Sequence, residues 1–546
     1  MASHARDEHE TARHDPDVLI VGAGPTGLML ACQLAIRRIP FRIIDKASGP
    51  TTQSQALAVQ ARTLEIFAQM GIAEAAVARG VPAKAISFLL RVKPLVRFAL
   101  EGFGQGLTPF PFLLMLEQSQ TEALLLEFLT QHGQTVEWNT ELVTFTQDAH
   151  GVRATVAHPD QGRAEVHAAW LVGADGAHSP VRHILGIPFV GKTYQQSFFL
   201  LDCRVDWPML PDEMYAVLAG RTPFAAFFPL TDGRCRVVGM LPEGLAERDE
   251  VAFDDIVPDF TACLELDITL SDPQWISVYR AHHRCVAAFR VGRCFLAGDA
   301  AHIHSPVGAQ GMNTGLQDAY NLAWKLALVS QGRAHQALLE TYNTERLPIA
   351  RRLVRTTDRA FTVVTKTDRL ARTARTRVMP WVLPLVDRVI RLGPVARLAF
   401  TTVSQIGLHY RGSPLSQPSP PHHFPRRAPK PGERLPYVGY AQADGTPATT
   451  HELLREPTFH LLVLAGHGVE RDDAQRLVEN VGHRYGPLIA VHLIPAAPGT
   501  ARLYARFGVR TAGYFLVRPD GYLACRSASL DGHSLAEYLH GILAQN

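Results

Sequence analysis

Val18 to Val21 is a short apolar run of strand type that stops at Gly22. Leu28, Ala31, Leu34 and Ala35 then recur at helical spacing, and Phe41 to Ile44 is a second apolar run ending on Asp45. This pattern predicts a strand, a helix and a second strand. Further on, GVRATVAHPDQGRAEVHAAW alternates like a hairpin, and Trp170 to Val172 predicts a strand running into the turn GADG. A short helix is expected over Ser179 to Leu185. Cys294 to Ala297 is another strand meeting glycine, at Gly298-Asp299, with a helix beginning near Thr314. Between these, Gly191 to Arg290 holds SFFLLDCRV, MYAVLAG, FAAFFPL, RCRVVGM and WISVYRA, a meander of predicted strands.

The rear of the chain changes character. Helices are expected over ETYNTERLPIARRLVRTT and DRVIRLGPVARLAFTTV, then RGSPLSQPSPPHHFPRRAPKPGERLP reads as a linker too irregular to pack. Beyond it comes a strand FHLLVLAG, a helix DDAQRLVENVGHRYG and a strand PLIAVHLIP. A hairpin turning at Asp520-Gly521 and a closing helix through Leu535 to Leu543 complete a separate α/β unit.

The first glycines carry chemistry. Gly22, Gly24 and Gly27 stand in GxGxxG spacing between strand and helix, and Asp45 lies 18 residues after Gly27. Gly22 permits the tight turn, Gly24 lets backbone amides approach a pyrophosphate, and Gly27 lets helix and strand pack closely. The acid is placed to accept from a ribose. A dinucleotide is expected here, and this motif does not distinguish NAD from FAD.

Composition narrows the classes. At 546 residues the chain is too long for one compact domain. The formal charge of +3, with Lys and Arg scattered, gives no support to nucleic-acid binding. Its strongest basic cluster, RRLVRTTDR, reads as the solvated face of a helix. Seven single cysteines form no CxxC pair, which disfavours zinc ribbons and dithiol centres and fits a reducing, cytoplasmic compartment. MASHARDEHETARHDPD has no apolar core, so residues 1–15 read as a disordered tail rather than a signal peptide. VMPWVLPLV is too short to span a membrane, contains Pro380 and Pro384, and stops at Asp387. In GDAAHIHSPVGAQGMNTG, Asp299, His302 and His304 can be drawn as a metal site. No further ligand cluster completes it and the spacing matches no standard motif, so no metal is expected.

Three blocks in order, VGAGPTGL, GADGAHSPVR and GDAAHIHSPVGAQGMNTGLQDAYNLAWKLA, resemble the class A FAD-dependent aromatic hydroxylases, in the branch of phenol hydroxylase, pentachlorophenol monooxygenase and polyketide hydroxylases. QARTLEIF and EQSQTEALL support the resemblance. It implies an α/β and α+β fold: a Rossmann-type FAD-binding domain (16–190 and 291–410), an inserted β-sheet substrate domain (191–290), a linker (411–430) and a thioredoxin-like domain without CxxC (431–546). It also implies tightly but non-covalently bound FAD, NAD(P)H as a transient co-substrate with no domain of its own, O2, and a small phenolic or polyketide aromatic. In such enzymes a flavin C4a-hydroperoxide donates the oxygen. Epoxidation, Baeyer-Villiger insertion, reduction or a non-catalytic flavoprotein are the alternatives, and a homodimer is allowed.

Site residues follow from the same likeness. The first block places Gly22, Gly24, Pro25, Thr26, Gly27, Asp45 and Lys46 on the ADP part, and the second places Asp175 and Gly176 near FAD and NAD(P)H. The third sets Gly298 and Asp299 on the ribityl chain, and Pro306, Gly311, Met312 and Asn313 against the flavin ring, with the following helix aimed at it. Gln118, followed by Glu122, matches the family's FAD-contacting glutamine. Gln55 stands where relatives carry a basic residue, so that contact is weakened or passes to Arg62. Leu57 replaces the acid of phenol hydroxylase proper, which argues against its proton route. Pro306, His304 and Tyr215 are the candidate catalytic residues, with Arg204, Tyr279 and His282 as further polar groups on the middle strands.

Overall fold

The computed structural model describes residues 15–544 apart from 53–54, 91–92, 101, 218–224, 242–243, 246–250, 265, 306–307, 366–372, 374–376, 420–423 and 467–468. Strand Val18–Val21 is buried on both faces, which explains its unbroken apolar run. It pairs in parallel with Phe41–Ile44 on one side and Trp170–Gly173 on the other, and Trp170–Gly173 pairs in parallel with Cys294–Leu296. Helices Pro25–Ile36 and Gly311–Ser330 pack together over this sheet. Parallel register brings the C-terminal ends of three strands to one edge, so the three glycine turns of the sequence meet there.

An eight-stranded sheet forms the second layer. Its long strands are Phe189–Asp206 and Thr269–Val286, joined by Cys235–Met240, Ala225–Pro229 and Glu213–Val217. Residues 191–290 do not supply the whole sheet. Strand Ala85–Leu90 adds in parallel to Glu213–Val217, and Lys93–Ala99 pairs with it. Helix Phe253–Leu264, which the sequence reading passed over, covers one face through Ile256, Phe260 and Leu264.

The rear unit is a four-stranded sheet in the spatial order Ile489–Ile494, Phe459–Leu464, Gly513–Val517, Leu523–Ser527. The first two pair in parallel and the rest antiparallel, with Val469–Tyr485 among the covering helices. The expected linker is not loose. Leu415, Phe424 and Ala428 are buried in cores shared with this unit, because they supply the apolar side chains that close it. An ion network joins the unit to the front domain. Arg518 donates to both oxygens of Glu345 at 2.5 and 2.9 Å and to Asp520, and Lys325 donates to Glu345 at 2.8 Å, all fully buried. Glu345 is held far below the ordinary carboxylate range, because Arg518 and Lys325 outweigh the cost of burial.

Candidate cofactor and active site

Gly22 has φ +101°, and a Cβ there would lie 2.4 Å from the Ala174 carbonyl oxygen of the second glycine turn. A Cβ on Gly27 would lie 1.9 Å from the Gly22 carbonyl oxygen. Gly24 instead faces open space at the start of helix Pro25–Ile36, whose N-terminus has no side-chain cap and no acid in its first turn. Free amides and a positive helix end are thus offered to an anion. Asp45 accepts from the Ala23 amide at 2.7 Å and the Ala47 amide at 2.8 Å, fixing the loop. Lys46 and Gln55 are exposed.

Thr26 ties the first block to the third. Cβ atoms added to Gly298 and Gly315 would fall 2.5 and 2.3 Å from its Oγ1. The turn Gly298–Ala300 is held from behind by Asp318, which accepts from the Gly298 amide at 3.1 Å, from His302 Nε2 at 2.7 Å and from Arg346 Nε at 2.6 Å. His302 is therefore a buried positioning residue. Asp299 is exposed and has no hydrogen-bond partner among the described residues.

The loop beyond lies close to its neighbours. Gly308 has φ +84°, and its carbonyl accepts from Gln60 Nε2 at 3.3 Å. A Cβ on Gly311 would be 3.2 Å from His304 Nε2, while His304 Nδ1 pairs with the Ser305 carbonyl at 2.7 Å. Burial lowers His304 to about 4, so its imidazole is neutral. Helix Gly311–Ser330 starts here without a side-chain cap, earlier than Thr314, and Met312 packs on the front core. The Asn313 side chain is fully engaged within the protein. Its amide accepts from the Gln60 amide (2.9 Å) and Thr63 (2.7 Å) and donates to Ala58 (2.8 Å) and Ala309 (3.1 Å), so only its backbone can face a ring. Pro306 lies outside the described residues.

Other expectations separate. Gln118 accepts from the Ala56 amide at 3.2 Å and donates to Glu122 at 2.9 Å. Burial raises Glu122, whose carboxylate accepts from Thr51. Asp175 accepts from the Val181 amide at 3.0 Å and is raised by burial, and Gly176 has φ +76° with open space around it. Arg62 is not free to replace the missing basic contact. It is buried between Tyr320 and Tyr522 and donates to Glu65 at 3.1 Å and the Asp520 carbonyl at 2.7 Å, so it fastens the rear unit.

Tyr215 is likewise corrected. It points to the helix-covered face of the large sheet beside Trp207, and its hydroxyl accepts from the Leu210 amide at 2.9 Å. Its neighbour Met214 points the other way, into a cluster with Leu57, Leu230, Phe228 and Ala309 of the glycine loop. That opposite face also carries Phe198 and Tyr279, packed with Tyr194 and Phe361. There Tyr194 donates to Asp358, His283 Nδ1 lies 3.2 Å from the same carboxylate, and Ser305 bonds the Thr357 carbonyl beside it. This cluster leaves no trace in the sequence because Tyr194, His283 and Asp358 stand on three segments more than seventy residues apart. Arg204 pairs with Asp272 on the surface, and His282 with Thr193.

Residues 15–357 match the family described as "FAD binding domain", and 428–545 that described as "Aromatic-ring hydroxylase, C-terminal". The chain is 38% identical to 6-methylpretetramide 4-monooxygenase of Streptomyces rimosus, over 94% of this chain and 90% of that one. This chain belongs to the FAD-dependent aromatic-ring hydroxylases. The hydroxylase is also 29% identical to pentachlorophenol 4-monooxygenase of Sphingobium chlorophenolicum, over 97% of each chain. A solved ternary complex of aklavinone-11 hydroxylase with FAD and aklavinone superposes with a TM-score of 0.76 at 26% identity, covering 96% of this chain and 98% of that one.

The hydroxylase is thus an FAD-dependent monooxygenase, and its own residues fit the cofactor. The open side of Gly24 and the uncapped helix suit a pyrophosphate, the partnerless Asp299 suits ribityl hydroxyls, and the second uncapped helix suits the electron-rich edge of a reduced flavin. Among the described residues no group of three or more His, Cys, Asp or Glu is arranged to hold a metal ion.

Proposed function

We propose that the hydroxylase uses NAD(P)H and O2, in the cytoplasm, to hydroxylate a phenolic or polyketide-type aromatic lying between the glycine loop and the face of the large sheet opposite helix Phe253–Leu264. The observation that carries this reading is that Ala309 of the loop packs against the same apolar cluster that holds Leu230 and Met214 of the sheet, which supports a site between that face and the cofactor loop. Bound FAD supplies hydride acceptance from NAD(P)H and activation of O2. The chain itself positions and encloses. Tyr279, partly exposed and backed by the buried Phe198 and Phe361, offers an apolar, water-excluding surface to a flat ring. Tyr194 Oη can take the proton of a substrate hydroxyl while its own proton passes to the Asp358 carboxylate, beside which His283 Nδ1 lies at 3.2 Å. The polyketide part of the proposal draws on the named activity of the 38% relative. The strand order of the rear unit supports a thioredoxin-like fold without its redox pair, acting structurally.

Anaerobic stopped-flow bleaching of the flavin by NADPH and NADH, with and without a panel of phenols and polyketide aromatics, tests the proposal. Many-fold acceleration by one aromatic is the expected result. Fast reduction that no aromatic accelerates would move a reductase ahead. Tyr194→Phe should lower kcat about 10²-fold or more with the flavin still bound, and shift the pH profile of the oxygen-transfer phase.

A further inference from the structure

The helices Met379–Ile390 and Gly393–Val403 leave an apolar surface exposed, away from the residues assigned above to cofactor and substrate. Among the described residues, nine of the sixteen exposed large hydrophobic side chains lie between Val378 and Val403. Trp381 is 82% exposed, Leu398 68% and Leu385 61%. The inner side of the first helix is satisfied, because Leu383, Met379 and Ile390 pack on Phe88, Phe98 and their neighbours at the edge of the large sheet. Its outer side repeats Trp381, Leu385 and Val389 at four-residue spacing, so a second apolar stripe faces solvent. Isolated exposed apolar residues need no explanation, but a contiguous patch of this kind marks an interaction surface.

Charge selects the partner. Residues 377–403 carry the exposed arginines Arg377, Arg388, Arg391 and Arg397 against one acid, Asp387, which is already bonded to Arg391. That stretch alone matches the net charge of the whole chain, +3. Two copies placed face to face here would bring their arginines together, which opposes self-association. An anionic bilayer meets both features at once, taking Trp and Leu into its headgroup region and arginine at its surface. No helix among the described residues is long and apolar enough to cross a membrane, so the contact would be peripheral.

We propose that the surface formed by Trp381, Leu385, Leu392 and Leu398, ringed by Arg388 and Arg397, docks the hydroxylase on anionic lipid membranes. This is independent of which aromatic the enzyme oxidises. The experiment is co-sedimentation of the FAD-loaded enzyme with phosphatidylcholine vesicles, with and without about 30 mol % phosphatidylglycerol. Binding is expected only with the anionic lipid and should weaken when salt rises from about 0.1 to about 0.5 M. Trp381→Ser with Leu385→Ser should weaken it at least about tenfold through lost apolar insertion. Arg388→Glu with Arg397→Glu should do so at least about tenfold through charge. Unchanged flavin content and NAD(P)H oxidation in these variants would show that the fold survives. No binding at low salt, or binding by either double variant as tight as that of the wild type, overturns the proposal. So does a wild-type dimer in sedimentation equilibrium that Trp381→Ser with Leu385→Ser dissolves, since the face would then belong to a second copy.

Discussion

Asp318 offers the sharpest test of how the cofactor turn is held. It is fully buried and accepts from Arg346 Nε at 2.6 Å, His302 Nε2 at 2.7 Å and the Gly298 amide at 3.1 Å. Burial pushes its carboxyl up, but Arg346 and His302 more than offset that and leave it below the ordinary value of 3.8. A depressed carboxylate contributes stability that is present above 3.8 and lost as pH falls through its lower folded value, so the full contribution operates at pH 7. Asp318→Asn keeps the shape but removes the counter-charge, leaving Arg346 among the described residues with neutral acceptors, including the Tyr410 hydroxyl and the Thr314 carbonyl at 3.0 and 3.1 Å. Breaking a buried pair from one side costs about 3–5 kcal/mol. Replacing both partners with apolar residues, Asp318→Leu with Arg346→Met, removes the stranded charge, so the double variant should be less damaged than the sum of its singles by at least about 2 kcal/mol. The assay is urea titration of the FAD-loaded enzyme, followed by the rise in flavin fluorescence as FAD leaves. Asp318→Asn within about 1 kcal/mol of wild type, or strict additivity in the cycle, would refute the reasoning.

Two further outcomes follow from the same geometry. His304, lowered to about 4 by burial, binds its proton more readily when unfolded, so stability should decline as pH falls from about 6.5 to about 4, by up to about 3 kcal/mol. His304→Asn should flatten that part of the pH dependence, and an unchanged slope would show that other buried histidines account for it. Gly315→Ala would set a Cβ 2.3 Å from Thr26 Oγ1 and should cost about 1–3 kcal/mol in the same titration. Adding Thr26→Ala should recover part of the loss; no recovery would mean that the close approach is not the cause.

The elements around the cofactor were legible because each announces itself locally. A strand buried on both faces reads as a short apolar run, and a turn of positive φ or close backbone approach reads as glycine, so Val18–Val21, Gly22 and Gly298 were all found. The rear strands and the Asp520-Gly521 hairpin were found for the same reason. What failed were statements about where a side chain points. Tyr215 and Met214 are adjacent, and sheet periodicity puts one against helix Phe253–Leu264 and the other against the glycine loop, a choice the strand pattern leaves open. Arg62 sits in a motif beside the cofactor yet turns to the rear unit, because its partner carbonyl, at Asp520, is 458 residues away. The linker reads as irregular because Pro and Ser dominate it, although Leu415 and Phe424 find cores made by other segments.

The sequence by itself determined the family, the dinucleotide cradle and the order of the units, since these rest on backbone requirements that only certain residues meet at certain spacings. Tertiary structure alone decided which polar groups meet: Asp318 behind the Gly298 turn, Tyr194 with Asp358 and His283, and Arg518 with Glu345 across two units. Such partners are far apart along the chain and leave no periodic trace. Their pairing is selected by the cost of leaving a buried charge alone, which exists only once the chain has folded.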